Sequence, residues 1–132
     1  MDYGKWKVSK LKNDDGTAIA RFNCDLKDVL TVERFPNELV VTAYPPETSD
    51  LDEYLNGMND IEDEAMSQLL ACEGCEMYLT ITDASSREMY FALSGDLGTY
   101  VEALNTLAEK FPNRVSADSR ETYLGLYNSA FK

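Results

Sequence analysis

Residues 38–72 read ELVVTAYPPETSDLDEYLNGMNDIEDEAMSQLLAC, and this stretch decides the fold. Its first part, Glu38–Tyr44, is rich in apolar and β-branched side chains and is ended by two prolines, which is the pattern of a β-strand. In the second part, apolar residues recur at spacings of three, four and seven, as on the buried side of a helix. These residues are Leu51, Leu55, Met58, Ala65, Leu69 and Cys72. The stretch therefore predicts a strand followed by an amphipathic helix.

The start of this helix has two interpretations. One helix can begin at about Asp50 and run through the whole stretch. Alternatively, Gly57 weakens the helix, and Asn59 with Glu62 three residues later forms a capping box that starts a shorter helix from Asp60. In both cases the N-terminal end is rich in carboxylates, which the helix dipole favours.

Two predicted hairpins flank this strand and helix. Lys5–Ser9 and Thr17–Asn23 alternate between polar and apolar residues, with turn-forming residues at Asn13–Gly16 between them. Met77–Thr82 shows the same alternation, and Arg87–Leu93 follows it after the turn residues Asp83–Ser86. We therefore expect one hairpin at the N-terminus and a second one after the helix.

The remaining elements complete an α+β pattern. Thr99–Phe111 predicts a second helix, Arg114–Ala117 a short strand, and the tail up to Phe131 either a last helical turn or an extended segment. The order β-β-β-α-β-β-α-β predicts one α+β domain over residues 1–132. Its last six elements match the ferredoxin-like split βαββαβ arrangement, with an additional N-terminal β-hairpin, an antiparallel sheet and two helices on one face.

The charge of the chain is concentrated in its middle. Twelve basic and twenty-four acidic residues give a net charge of −12. Between Arg34 and Arg87 the sequence has no Lys or Arg but 12 acids. They are Glu38, Glu47, Asp50, Asp52, Glu53, Asp60, Glu62, Asp63, Glu64, Glu73, Glu76 and Asp83. Such a segment is repelled by phosphate backbones and anionic lipid and attracted to basic protein surfaces, so no direct nucleic-acid or membrane binding is expected.

The acidic side of the first helix is the predicted partner-binding surface. It is centred on Glu53, Asp60, Asp63 and Glu64, which would dock on a basic protein partner. The alternative is that the acidic excess only keeps the protein soluble. No loop shows the regular ligand spacing of a calcium site, and consecutive acids on a helix point in different directions.

Motifs of catalysis are scarce in the sequence. It has no histidine, which removes the commonest general base and metal ligand. Gly95 and Gly98 lack the lysine of a phosphate-binding loop. Cys72 and Cys75 form a CxxC pair, but they follow a helix and are flanked by glutamates, which disfavours a thiolate. We expect no cofactor and no metal, and an enzyme is less expected than a binding module.

A second candidate site lies on the predicted sheet. If the helices cover the strand residues Leu39, Val41, Met77, Leu79, Met89 and Phe91, the opposite face carries Thr42, Tyr44, Tyr78, Thr80 and Tyr90. Tyr44, Tyr78 and Tyr90, with Arg21 or Arg87 as an anion anchor, would then bind a small molecule or form an enzyme site. The other expectation is that this face is covered, either by the N-terminal hairpin with Trp6 or by a second subunit in a homodimer.

Features of export are also missing. No apolar run approaches the roughly 20 residues of a membrane-spanning helix, and the first residues do not resemble a signal peptide. The three cysteines are sparse and odd in number, unlike a disulfide framework. We expect a cytoplasmic protein.

Several short motifs together resemble an uncharacterised bacterial family, domain of unknown function 695. They are Trp6, Asp15-Gly16, Ala20-Arg21-Phe22-Asn23, Ile61-Glu62-Asp63 and Arg87-Glu88-Met89-Tyr90-Phe91, and the likeness runs from about Trp6 to Tyr123. Residues 99–111 are also similar to the last helix of the regulator of ribonuclease activity B family, although its long acidic tail is absent here. That likeness implies a small acidic ferredoxin-like inhibitor that binds an endoribonuclease. Neither resemblance supplies catalytic residues.

Overall fold

The computed structural model describes residues 6–13, 16–26, 28–47, 50–72, 74–83, 85–95, 97–122 and 124–130. They form an α+β fold with an open six-stranded antiparallel sheet and three α-helices, which confirms the predicted class. The strands are β1 (Trp6–Asn13), β2 (Gly16–Asn23), β3 (Asn37–Ala43), β4 (Cys75–Thr82), β5 (Arg87–Leu93) and β6 (Val115–Glu121). The helices are α1 (Leu51–Leu69), α2 (Val101–Lys110) and α3 (Gly125–Ala130). The strand order is β1-β2-β4-β5-β3-β6, and every neighbouring pair is antiparallel.

Helix α1 is continuous, as the first of the two interpretations predicts. The side chain of Asp50 caps it by accepting hydrogen bonds from the backbone N–H groups of Asp52 and Glu53, at 2.8 and 3.1 Å. These bonds satisfy donors that the first helical turn leaves without partners. The capping box at Asn59 is therefore not used as a helix start.

Gly57 has a packing role within α1. A Cβ atom at this position would lie 2.7 Å from Cδ of Pro46 and 2.9 Å from Nη2 of Arg114. The missing side chain lets the segment after β3 and the side chain of Arg114 approach the helix closely. A residue that weakens a helix in isolation is thus required by the packing around it.

The N-terminal hairpin extends the sheet and does not cover it. β2 pairs with β4, so that Arg21 lies opposite Thr80 and Phe22 opposite Leu79. The predicted covering role is therefore wrong. The physical reason is that the edge of β4 needs hydrogen-bonding partners, and β2 supplies them.

Both faces of the sheet carry a hydrophobic core. On one face α1 and α2 pack over β3, β4 and β5. On the other face the cover is formed by residues 26–35 and by the segment of α3, through Leu26, Leu30, Phe35, Leu124 and Tyr127. The helical interpretation of the tail is thus confirmed, and the chain itself covers the face that the sequence left for a ligand or a second subunit.

A β-bulge in β4 changes which residues share a face. Met77 pairs with Phe91 but Leu79 pairs with Tyr90, so Tyr78 is the extra residue. After the bulge the alternation is inverted, because strand side chains alternate with a period of two. Leu79 consequently lies on the face away from α1, and Thr80 lies on the face of α1, opposite to the prediction for both.

Candidate functional site

The four acidic residues predicted for partner binding lie on one side of α1. Glu53, Asp60, Asp63 and Glu64 are separated by seven, three and one positions, which places them within about a third of the helix circumference. Glu53, Asp60 and Asp63 are exposed, and Glu64 is partly buried. The structure therefore brings the predicted residues together on one surface, which we call the acidic face.

One carboxylate of the acidic face is matched by a cation. Nζ of Lys110, the last residue of α2, donates a hydrogen bond to Glu64 at 2.5 Å, and Nε2 of Gln68 donates to the same oxygen at 2.9 Å. These hydrogen bonds, that of Lys110 first, hold the pKa of Glu64 below its ordinary value. Glu64 thus stays charged, but its charge is locally balanced.

The centre of the acidic face is not balanced in this way. The side chains of Asp60 and Asp63 are exposed, and neither forms an ion pair or hydrogen bond with another residue in the ranges that the structure describes. Exposed carboxylates without a nearby cation keep their full hydration and their long-range field. Asp60 and Asp63 are therefore exposed charges of the acidic face that no cation among the described residues balances.

Glu62 belongs to a buried network. Its carboxylate is 1% exposed and accepts hydrogen bonds from Nη2 of Arg21 and, at 3.2 Å, from Nη1 of Arg87. Arg87 also donates to Asn59 at 2.8 Å, and Arg21 donates to Thr80 at 2.8 Å. The network ties α1 to β2 and β5. Glu62 lies seven residues after Leu55 and seven before Leu69, so it is on the apolar side of α1. This position is the sequence signal for its burial.

Glu38 is the second buried acid of the middle segment. On the face away from α1, one oxygen accepts from the hydroxyl of Tyr78 at 2.5 Å and the other from Nε of Arg120 at 2.5 Å. The pKa of Tyr78 is raised, mainly by burial of its hydroxyl and also by the hydrogen bond to Glu38. Two of the twelve acids of the segment are therefore interior ion-pair partners and add nothing to the acidic face.

The five residues of the second predicted site are not brought together. Arg21 and Arg87 reach Glu62 on the side of α1. Tyr78 is buried on the other side, where its ring centroid is 6.0 Å from that of Tyr90. Tyr44 is exposed, and its hydroxyl is 3.1 Å from Oγ of Ser116. The predicted open tyrosine surface is absent because α3 and residues 26–35 cover the sheet there.

The CxxC pair has the character of ordinary thiols. Cys75 begins β4 and is buried, and burial, followed by the charges of Cys72 and Glu76, raises its pKa to about 12. Sγ of Cys72 is 3.6 Å from the carbonyl oxygen of Gln68. Among the described residues there is no group of three or more Cys, Asp or Glu side chains that could hold a metal ion.

Within the described ranges, no helix has the length and apolar character needed to cross a membrane.

Comparisons with other proteins assign no family to the chain. No protein-family model matches the chain, and searches against curated proteins and against solved structures found no match.

Proposed function

We propose that the protein is a non-enzymatic interaction module that docks the acidic face of α1 on a basic surface of a protein partner. The observation that carries the proposal is the pair Asp60 and Asp63, which are exposed and have no ion-pair partner among the described residues. Electrostatic complementarity of this kind accelerates encounter and selects partners by charge.

The position of the acidic face also supports this proposal. It lies on a long helix that two sets of ion pairs hold in place. The Glu62 network connects α1 to the sheet, and Lys110 connects its C-terminal half to α2. Charges on a fixed helix hold a constant spacing, so they can match a fixed pattern of Lys and Arg on another protein. A set of acids that served only solubility would need no such support.

The resemblance noted above suggests the class of partner. A chain related to the regulator of ribonuclease activity B family would bind a nucleic-acid enzyme, whose active-site surroundings are basic. We further infer a ferredoxin-like arrangement of β3–β6 with α1 and α2, with the hairpin of β1 and β2 as an addition at one edge. The strand order β4-β5-β3-β6 supports this arrangement. Such a regulator would act in the cytoplasm.

Charge reversal tests the proposal. In a pull-down at low salt, wild type should retain partners that Asp60→Lys/Asp63→Lys loses, and the affinity for each partner should fall steeply as salt is added. The matched control is Asp28→Lys/Glu33→Lys, which changes the net charge equally but lies in the cover on the other side of the sheet. The proposal fails if the helix variant keeps the same partners, or if the control loses them equally.

A further inference from the structure

Among the described residues, no helix packs on a strip of the sheet beside α1. Helices α1 and α2 lie on the same side of the sheet and pack over the four strands β3 to β6. On that side β1 and β2 carry Val8, which is 61% exposed, and Ile19, which is 45% exposed. Apolar side chains this exposed on adjacent strands leave a surface of the described fold without a packing layer.

The residues of this strip form the floor of a ledge. The pairing register places Val8 beside Arg21 and Lys10 beside Ile19, on the side where Arg21 reaches α1. Trp6 lies on the same side, and the guanidinium of Arg21 is 5.7 Å from the centre of its ring. The floor therefore offers Val8 and Ile19 as exposed apolar side chains, diagonally opposite across the two strands, with Lys10 near the outer border.

The wall of the ledge is the flank of α1. Leu55 is exposed and precedes Glu62, the partner of Arg21, by two helical turns, so both point towards β2. Asp52 and Asp63 are eleven residues apart and lie in one row at the upper border of this flank. The wall is thus apolar at its base and acidic above it.

We propose that the ledge binds an amphipathic helix of the partner, with its apolar face on Val8 and Ile19 and with Lys or Arg along the flank that meets α1. The inference rests on the proposed function, because the same partner would supply the basic residues. Two strands are about 10 Å wide, which matches the diameter of one helix. Eight residues of strand extend about 26 Å, which corresponds to about 17 helical residues.

Charge defines the orientation of this helix. Its basic flank meets Asp52 and Asp63 on the wall, and its outer flank lies over Lys10 and is neutral or acidic. A helix that is basic on both flanks would place its outer flank against Lys10. The ledge therefore selects one direction and one rotation of the bound helix, and not merely a positive charge.

A synthetic helix can test this inference directly. The probe is a 16-residue peptide without Trp, with Leu on one face, Lys along one flank and Gln along the other. Trp6 is the single tryptophan of the chain and lies on the floor, so its fluorescence reports occupancy, and calorimetry gives the affinity. A peptide of the same composition with its Leu residues distributed around the helix is the peptide control.

Variants separate this inference from the proposed function. Val8→Thr/Ile19→Thr keeps β-branched residues in the strands but removes the apolar floor, and it should weaken the peptide about tenfold or more. Val32→Thr changes an equally exposed valine on the covered face and should leave the affinity unchanged. Circular dichroism of each variant confirms that the fold is retained.

The outcomes are distinct. If Asp60→Lys/Asp63→Lys weakens the peptide but the floor variant does not, the ledge proposal is wrong and the acidic face remains. If only the floor variant weakens it, the apolar floor binds the helix, but the contact of the basic flank with the wall and the proposed function are both wrong. Equal binding of the peptide control overturns the helix as occupant. A wild-type dimer in sedimentation that the floor variant abolishes would assign the ledge to a second copy of this chain instead.

Discussion

Replacement of Glu62 by Gln should have a large effect on stability. The change removes a negative charge that is 1% exposed and that pairs with the guanidinium of Arg87, which is 8% exposed. Both arginines donate to the same carboxylate oxygen, so the carbonyl oxygen of Gln can still accept these hydrogen bonds. What is lost is the negative charge beside two guanidinium groups that cannot lose their protons. Breaking a buried pair in this way costs about 3 to 5 kcal/mol, and we expect about 3, because Arg21 has some access to water.

Glu38→Gln provides the comparison. Glu38 is as deeply buried, but Arg120 is half exposed and can turn towards water, and the hydroxyl of Tyr78 can accept as well as donate. This variant should cost only about 1 kcal/mol. The same Glu→Gln change therefore lowers the free energy of unfolding by different amounts at the two sites, because the partner arginine is buried at one site and half exposed at the other.

Urea unfolding at pH 7, followed by circular dichroism and by Trp6 fluorescence, measures both losses. The double variant Glu62→Gln/Arg87→Met should lose less stability than the sum of its single changes, because the second change removes a cation that Glu62 balances. If Glu62→Gln costs less than about 1 kcal/mol, or no more than Glu38→Gln, the network is not the structural tie that its geometry indicates.

Two further variants test the packing and the thiol. Gly57→Ala should destabilise the fold by about 1 kcal/mol, because the new methyl group would crowd Pro46 and Arg114, and this outweighs the gain in helix propensity. Urea unfolding measures the change, and a variant more stable than wild type would contradict the prediction. Burial raises the pKa of the Cys75 thiol from 9.0 to about 12. Between these two values the unfolded chain loses the thiol proton and the folded chain keeps it. The contribution of the thiol to the free energy of unfolding is therefore complete below about pH 9 and decreases as the pH rises towards 12. Compared with Cys75→Ala, wild type should therefore lose more stability between pH 8 and pH 11, and parallel pH profiles of the two proteins would refute this.

The sequence predicted the elements better than it predicted which side chains meet. Helix α1 follows from periodicity, because burial on one side leaves a regular mark on the sequence. Strand β3 follows from its apolar, β-branched run and from the two prolines that end it. The bulge at Tyr78 leaves no such mark, since Tyr78 and Leu79 are both compatible with either face of a strand. One extra residue then moved Leu79 and Thr80 to the opposite faces. Tyr78 and Tyr90 still share the face away from α1, and the cover formed by α3 and the segment before β3 is what closes that face.

The buried acids show a different limit. Glu62 stood in the apolar stripe of α1, so its burial was readable, but its partners Arg21 and Arg87 are 41 and 25 residues away in sequence. Only the pairing of β2 with β4 and of β4 with β5 brings them to it. Ion pairs between distant segments depend on the topology, and composition alone does not reveal them.

Folding therefore neutralises the acidic segment selectively. Read along the sequence, the twelve acids form one uniform block, because no Lys or Arg interrupts it. In the structure the bases of the flanking segments return to it: arginines pair with Glu38 and Glu62, and Lys110 pairs with Glu64. Each pairing joins two elements of the fold, so these charges are balanced within the protein. Asp60 and Asp63 are left exposed on either side of the buried Glu62, so the fold determines which charges of α1 face the solvent.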